Sequence, residues 1–587
     1  MDSTDLCRGA GDTKAGQNPH CPDETVQRED RISDKAVGEG AGIGDVPKDW
    51  LPGLKQNFKF DIQAGFILFL IALPLSLGIA VASDAPPIAG VITAIVGGII
   101  GSLLGGSYIT INGAAAGLIV IVVGAINGLG LMPDGSVDLA AGFRYALAVG
   151  VVCGLIQIVM GVLKLGKLSN LFPLSVVHGM LAGIGLIIMS KQIHTLLGVK
   201  LNSEEVHHIG ATLHEAVPGP LGTLLSEGMI PTIALIPSSF GHIFFPAFII
   251  GALSLAMMIV WPRLPKALTK VVPAPMAIIL VTVPMGMAFN LEAKYLVNVP
   301  LNFLDGITYP DFGKVGTGIF WKFVVMYVFV ASIESILTAS AMDKMDPWKR
   351  RSNMNRELIA KGAGNAIAAF IGGLPMIAEV VRSSANIMNG ARTRWSNFFH
   401  GSFMLVSVIT IPFILNMIPL AALAGMLVFI GFRLAHPKEF VHAAHVGKEE
   451  VAYMVITTVV VVCTDLLVGV ATGVLVAMIV NVIRGGTKNF GKAQTKIDAR
   501  GDSVTLKLSG THIFSNFMGT RGVLDGLPPG KSLTIDYSEV TYMDHTVNER
   551  FHDFEGEYSR TGGSVREFGK AGLSATTPST VSALIRA

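Results

Sequence analysis

The chain has 587 residues, of which 51% are hydrophobic and only 15% charged, and its formal net charge is +2. Soluble domains carry about 25% charged residues, so the deficit excludes an ordinary soluble protein, and so small a charge gives no reason to expect a nucleic-acid partner. The 67 glycines suit membrane helices, where a missing side chain lets backbones approach.

Residues 1–54 are polar, lack the apolar core of a signal peptide and read as a disordered tail. Apolar stretches near the bilayer length of about 20 residues then follow at 62–83, 87–105, 113–130, 144–163, 171–190, 243–261, 272–290, 318–340, 357–372, 376–389, 398–416, 419–433, 450–465 and 466–484. The irregular 220–242 stretch leaves room for an interfacial helix. Lys and Arg concentrate in alternate loops, among them Lys164, Arg263, Lys349, Arg350, Arg351, Arg392, Arg433 and Lys448. That bias predicts a multi-pass protein of the plasma (inner) membrane with both termini cytoplasmic.

Two of these segments are interrupted. Asn112-Gly113-Ala114-Ala115-Ala116-Gly117 and Gly372-Gly373-Leu374-Pro375-Met376-Ile377-Ala378 each place small or helix-breaking residues before a short helical run. Half-helices of this kind mark the binding site of a transporter, because their N–H groups and positive dipole ends face a ligand. A shift of about 262 residues carries Gly113 onto Pro375 and Pro74 to about Ile336. The repeat implies two inverted halves, each with about seven spans.

After Arg484 the composition turns polar. A small α/β domain is expected over 495–587, with strands at Val504–Leu508 and Ser532–Tyr537, a helix at Val547–Arg560 and a frayed end from Ala571. Cys7, Cys21, Cys153 and Cys463 form no metal or disulfide pattern and are expected as reduced thiols.

Ionisable residues within spans are costly and point to function. Glu334 lies deep in the eighth span, with Thr338 one turn on; Glu379 and Arg382 are spaced to face each other in the second half-helix. The expected substrate site comprises Gly113, Ala114, Ala115, Ala116, Ile377, Ala378, Glu379, Val381, Arg382 and Ser383. Backbone N–H groups near Ala114–Ala116 and Ile377–Ala378 would hold an anion and Arg382 would add charge. Glu334 and Thr338 offer oxygen ligands to Na⁺ or a place for a proton, with no other cofactor or metal. The alternative is that Glu379 and Arg382 merely neutralise each other. His178 and His400 are expected to pack near span ends, Arg144 to reach the outer surface and Asp465 to cap a turn. Neither a phosphate-binding loop nor a nucleophile–base pair is present in the sequence, so an enzyme is not expected.

Three runs carry a resemblance: Gly113-Ala114-Ala115-Ala116, Glu334-Ser335-Ile336-Leu337-Thr338-Ala339, and Arg382-Ser383-Ser384-Ala385-Asn386 before Gly390-Ala391-Arg392-Thr393. Together they resemble the sulfate permease family of inorganic anion transporters over about residues 55–570. The resemblance implies an α-helical protein of about fourteen spans in a seven-plus-seven inverted repeat. It further implies a homodimer, a core domain moving against a gate domain, and a C-terminal STAS domain. His545, within Asp544-His545-Thr546, stands where some relatives carry a phosphorylated hydroxyl; Ala114 replaces the usual Pro, and Glu379 replaces a small or hydroxyl residue. A carboxylate there repels a divalent anion unless it is protonated or paired, which favours coupled transport or a monovalent substrate such as bicarbonate over plain sulfate uniport. A channel, an uncoupled chloride/bicarbonate exchanger and an anion-sensing receptor are the alternatives. Arg382 argues against a nucleobase carrier.

Overall fold

The structure is a computed structural model that describes residues 45–586 apart from 134–135, 168–171, 201–202, 218, 220–221, 223–228, 270–271, 486–492, 501 and 560–561. Most of the expected tail, with Cys7 and Cys21, therefore lies outside the described residues, as does Lys270, another of the cations expected in the cytoplasmic loops. Residues Pro47–Ala587 form one unit.

The first seven membrane elements are α1 (Trp50–Ala82), α2 (Pro87–Leu104), strand β1 (Asn112–Ala114) leading through a 3-10 turn into α3 (Ile119–Leu129), α4 (Leu139–Val162), α5 (Leu174–Leu196), α6 (Phe245–Val260) and α7 (Ala274–Ala288). The second seven are α8 (Gly318–Met345), α9 (Met354–Phe370), strand β2 (Met376–Ala378) leading into α10 (Val380–Met388), α11 (Trp395–Thr410), α12 (Leu420–Leu434) and, after the short α13 (Pro437–Val446), α14 (Lys448–Cys463) and α15 (Leu466–Gly485). Eight helices among the described residues are long and apolar enough to cross a membrane; the other expected spans coincide with shorter helices. Helix starts follow local chemistry. Prolines stand in the first turns of α2, α6 and α7, where no N–H is needed, and Asp138 and Asn353 cap α4 and α9.

The inverted repeat is visible in who packs on whom. α2 crosses α11, and, with the halves exchanged, α9 crosses α4; likewise α6 lies on α12 and α14 on α5. Both core crossings are glycine contacts. A Cβ on Gly154 would lie 2.5 Å from Gly362 O, and one on Gly401 would lie 2.8 Å from the Cα of Gly98. With no apolar driving force between helices in lipid, such close backbone approach supplies the packing.

α1 starts at Trp50, inside the stretch expected to be tail. The side chain of Asp49 accepts from Trp50 N at 2.9 Å and pairs with Arg394 at 2.7 and 2.8 Å, while the Trp395 indole donates to Trp50 O at 2.9 Å. Among its described residues, the 220–242 stretch holds short helical turns at Ile230–Ala234, Ile236–Ser239 and Phe240–His242.

The C-terminal domain is a mixed six-stranded sheet. Its strands are β3 (Gln494–Arg500), β4 (Ser503–His512), β5 (Ser532–Met543), β6 (Ser564–Phe568), β7 (Leu573–Ala575) and β8 (Leu584–Arg586), in the order β3-β4-β5-β8-β7 with β6 beside β5. Two helices, α16 (Phe517–Asp525) and α17 (His545–Ser559), cover it. The end expected to fray is instead paired: Ala575 faces Leu584, and Leu584 faces Met543. The domain is fastened to the membrane part by polar contacts. Asp544 accepts from Asn481 of α15 at 3.2 Å, Thr546 accepts from Leu174 N at 3.3 Å, and Lys344 of α8 meets Asp553 at 2.7 Å.

Burial pushes the Asp544 carboxyl up to about 6, against the N–H groups of Val547 and Phe514, which favour its charged form. A folded-state value above the unfolded 3.8 favours folding in full below that value and loses the gain as pH rises through about 6. Thermal unfolding of the full chain is expected to show the domain less stable at about pH 7 than at about pH 4, by on the order of 3 kcal/mol at most. Asp544→Asn should flatten that slope; an unchanged slope removes Asp544 as its source.

Candidate functional site

The two interrupted segments meet. β1 and β2 pair antiparallel, with Asn112 opposite Ala378, Gly113 opposite Ile377 and Ala114 opposite Met376. Ala115 N extends the ladder to Pro375 O at 3.4 Å, and Glu379 N to Ile111 O at 3.0 Å. Side chains satisfy the outward-facing groups. Asn365 of α9 accepts from Met376 N at 2.6 Å and donates to Met376 O at 3.3 Å. Asn397 of α11 accepts from Asn112 N at 3.3 Å while donating to Gly97 O at 3.1 Å. Ser335 accepts from Ala378 N at 3.3 Å and Ser383 from Ile111 N at 2.9 Å. Behind Asn365 a buried chain runs through Gln157 at 2.8 Å to Ser332 at 3.1 Å.

This changes the expected anion cradle. The N–H groups of Ala115 and Ala378 are already bonded within the protein, so they are not offered to a ligand. What remains open is further along. The starts of α10 and of the 3-10 turn Ala116–Leu118 both lack a side-chain cap. Two positive helix ends therefore flank one place.

Charged groups close on that place from the second half. Arg382 is fully buried, with Nε 3.0 Å from Glu379 Oε2 and Nη1 3.4 Å from Ser76 of α1. Its Nη1 occupies the position where a Cβ on Gly113 would stand, with Glu379 Oε1 3.4 Å from the same point. The Glu334 carboxylate fills the corresponding space at Gly117, 2.5 and 2.7 Å from its would-be Cβ. Thr338 is buried one turn along from Glu334. Several buried polar atoms here have no protein partner: Arg382 Nη2, Glu379 Oε1, Glu334 Oε2, Asn112 Oδ1 and both ring nitrogens of His400. Such clustered, unsatisfied donors and acceptors suit a polar occupant.

Of the expected residues, Gly113, Glu379 and Arg382 are thus in mutual contact and Glu334 lies against Gly117. Ser383 acts on the backbone of Ile111, and Val381 is exposed. His400 is not at a span end. It is wholly buried, one turn beyond Asn397. Ser76, Ser335, Asn365, Asn397 and His400 were missed as site neighbours; intramembrane Asn and Ser on helix faces were the only signal. Asp465 caps its turn through Val468 N at 2.9 Å, as expected, and Arg144 is half-exposed near Asp311. Cys153 and Cys463 are free thiols.

Inverted halves with paired broken segments around buried charged side chains are the architecture in which transporters build a site for a small ligand. The comparisons make the assignment specific. Residues 58–457 match the model of the sulfate permease family, and the chain belongs to that family. It is 27% identical over 424 residues to a putative sulfate transporter, YvdB, of Bacillus subtilis, covering 72% of this chain and 73% of that one. It is 26% identical over 514 residues to the bicarbonate transporter BicA of Picosynechococcus, covering 84% and 85%. The solved structure of SLC26A9 superposes with a TM-score of 0.65 at 15% identity, over 95% of this chain and 92% of that one. The protein is a multi-pass membrane member of an inorganic anion transporter family, with a C-terminal sheet consistent with a STAS domain.

The glycine contacts generate a test. Gly113→Ala should displace the Arg382 head and weaken anion binding at least about tenfold, the scale of a charge-assisted hydrogen bond, with the fold retained. Gly316→Ala, where an added Cβ meets nothing within 4 Å, should bind like the parent. Isothermal titration of both variants checks this; equal binding detaches Arg382 from the anion.

Proposed function

We propose that the chain is a secondary active transporter of a small inorganic anion of the sulfate or bicarbonate class, coupled to Na⁺ or H⁺. The anion sits between the uncapped starts of the Ala116–Leu118 turn and α10. The observation that carries this reading is the Arg382 guanidinium, wholly buried with Nη2 unpartnered, its Nη1 against Gly113 of β1 and its Nε on Glu379 at the start of α10. Burying a cation with one carboxylate partner and an unused donor is unfavourable unless something else completes its shell.

Glu379 decides among substrates. Its carboxylate already offsets part of the Arg382 charge at 3.0 Å, so a monovalent oxyanion such as bicarbonate fits better than a divalent one. Glu334 and Thr338 form the coupling site: Na⁺ would draw on their oxygens, whereas H⁺ would reside on Glu334. Alternating access follows from motion of the core elements α1–α4 and α8–α11 against the gate elements α5–α7 and α12–α15. The wider assignment is a homodimer in the plasma (inner) membrane, with both termini and the STAS domain on the cytoplasmic side and no enzymatic activity.

Uptake of labelled bicarbonate and sulfate into proteoliposomes tests this. Accumulation that follows a Na⁺ or pH gradient is expected, with bicarbonate preferred; flux that never accumulates substrate makes the protein an uncoupled exchanger or channel. Arg382→Ala should abolish anion binding, and Glu379→Gln should alter the pH dependence more than the affinity. Full binding by Arg382→Ala overturns the site.

A further inference from the structure

The gate side carries a cavity lined by none of the residues of the proposed anion site. It lies where α5, α6 and α12 meet, has a volume of about 650 Å³, and is walled by Met189, Leu255, Ile259, Val428 and Phe432 with Arg263 at one end. From Leu255 to Arg263 the wall runs about 12 Å at helical rise, from within the span to its end. Its rim is exposed: Ile259 and Phe432 each keep 45% of their surface.

Arg263 follows the end of α6, Arg433 stands in the last turn of α12 next to the cavity residue Phe432, and both are exposed. Among the described residues neither forms an ion pair; Arg263 spends one donor on Ile259 O at 2.5 Å, and Arg433 has no polar partner. This end of the gate is the one nearest the C-terminal domain, because α12 leads directly to α13, whose His445 and Val446 carbonyls accept from Thr577.

We propose that this groove binds an anionic phospholipid, one acyl chain lying along Leu255, Ile259 and Val428 and the phosphate meeting Arg263 and Arg433. An apolar slot opening sideways, with unpaired cations only at its headgroup end, matches the amphipathic order of a lipid. A second copy of the chain fits worse, since a two-fold contact through this face brings the same arginines toward one another. The lipid would wedge between gate helices and fix their spacing, independently of the anion site.

Native mass spectrometry of the full-length protein, purified and exposed to phosphatidylglycerol or phosphatidylcholine, tests this. The parent should retain phosphatidylglycerol in preference, and Arg263→Gln with Arg433→Gln should lose that preference by about fivefold per arginine. Val428→Trp, which fills the slot, should lose both lipids; Ile259→Trp at the exposed rim serves the same purpose if Val428→Trp does not fold. Equal retention of the two lipids by the parent overturns the proposal, as does undiminished retention in a folded tryptophan variant. Cross-linking of Ile259→Cys between two chains assigns the groove to a second copy and also overturns it.

Discussion

Backbone that leaves the helix at membrane depth must have every N–H and C=O satisfied, because there is no water in hydrocarbon to take them. The rest of this structure depends on how that constraint is met. Two strands of 3 residues each bond to one another across the inverted repeat, and a frame of Asn365, Asn397, Ser335 and Ser383 takes the groups left over. Each clamp comes from a different place in the fold, so the broken segments are held by the core as a whole. The helices after them can then begin in mid-membrane with uncapped ends, one beyond each end of the ladder.

The same arrangement explains where the small residues of the first half go. Gly113 and Gly117 are sockets for charged groups of the second half, Arg382 in one and Glu334 in the other. The first half supplies backbone and absence; the second supplies charge. Two halves that are alike in path thus become unlike in chemistry. The buried pair Glu357–Lys361 on α9 shows a contrasting use of charge. There Glu357 also accepts from Gly106 N at 2.8 Å and Ser107 N at 3.2 Å, which ties α9 to the loop after α2 without approaching the site.

Much of this was legible in the sequence, because membrane spans announce themselves through length and apolarity. Most expected spans end within a few residues of the helices found. Arg382, Glu379 and Glu334 were legible too, since a charge in a span is conspicuous. The pairing of β1 with β2 was not, as a strand of 3 residues has too little pattern to read and its partner lies over 250 residues away. Consequently the cradle was drawn with Ala115 and Ala378 N–H groups that the ladder and Ser335 already use. His400 was misplaced because a histidine near the start of a span gives no sign of whether its face looks inward. The start of α1 was hidden by polar residues whose partners, Arg394 and Trp395, are remote in sequence, and β7 and β8 by small and hydroxyl residues that read as a frayed end.

The two glycine sockets have a consequence for how such chains change over generations. Neither member of a socket can drift alone. A side chain gained at 113 takes the space that the Arg382 head now fills, and one gained at 117 takes that of the Glu334 carboxylate. Substitutions at these four positions should therefore be inherited in couples, and a lineage that shortens residue 382 is the one free to lengthen residue 113.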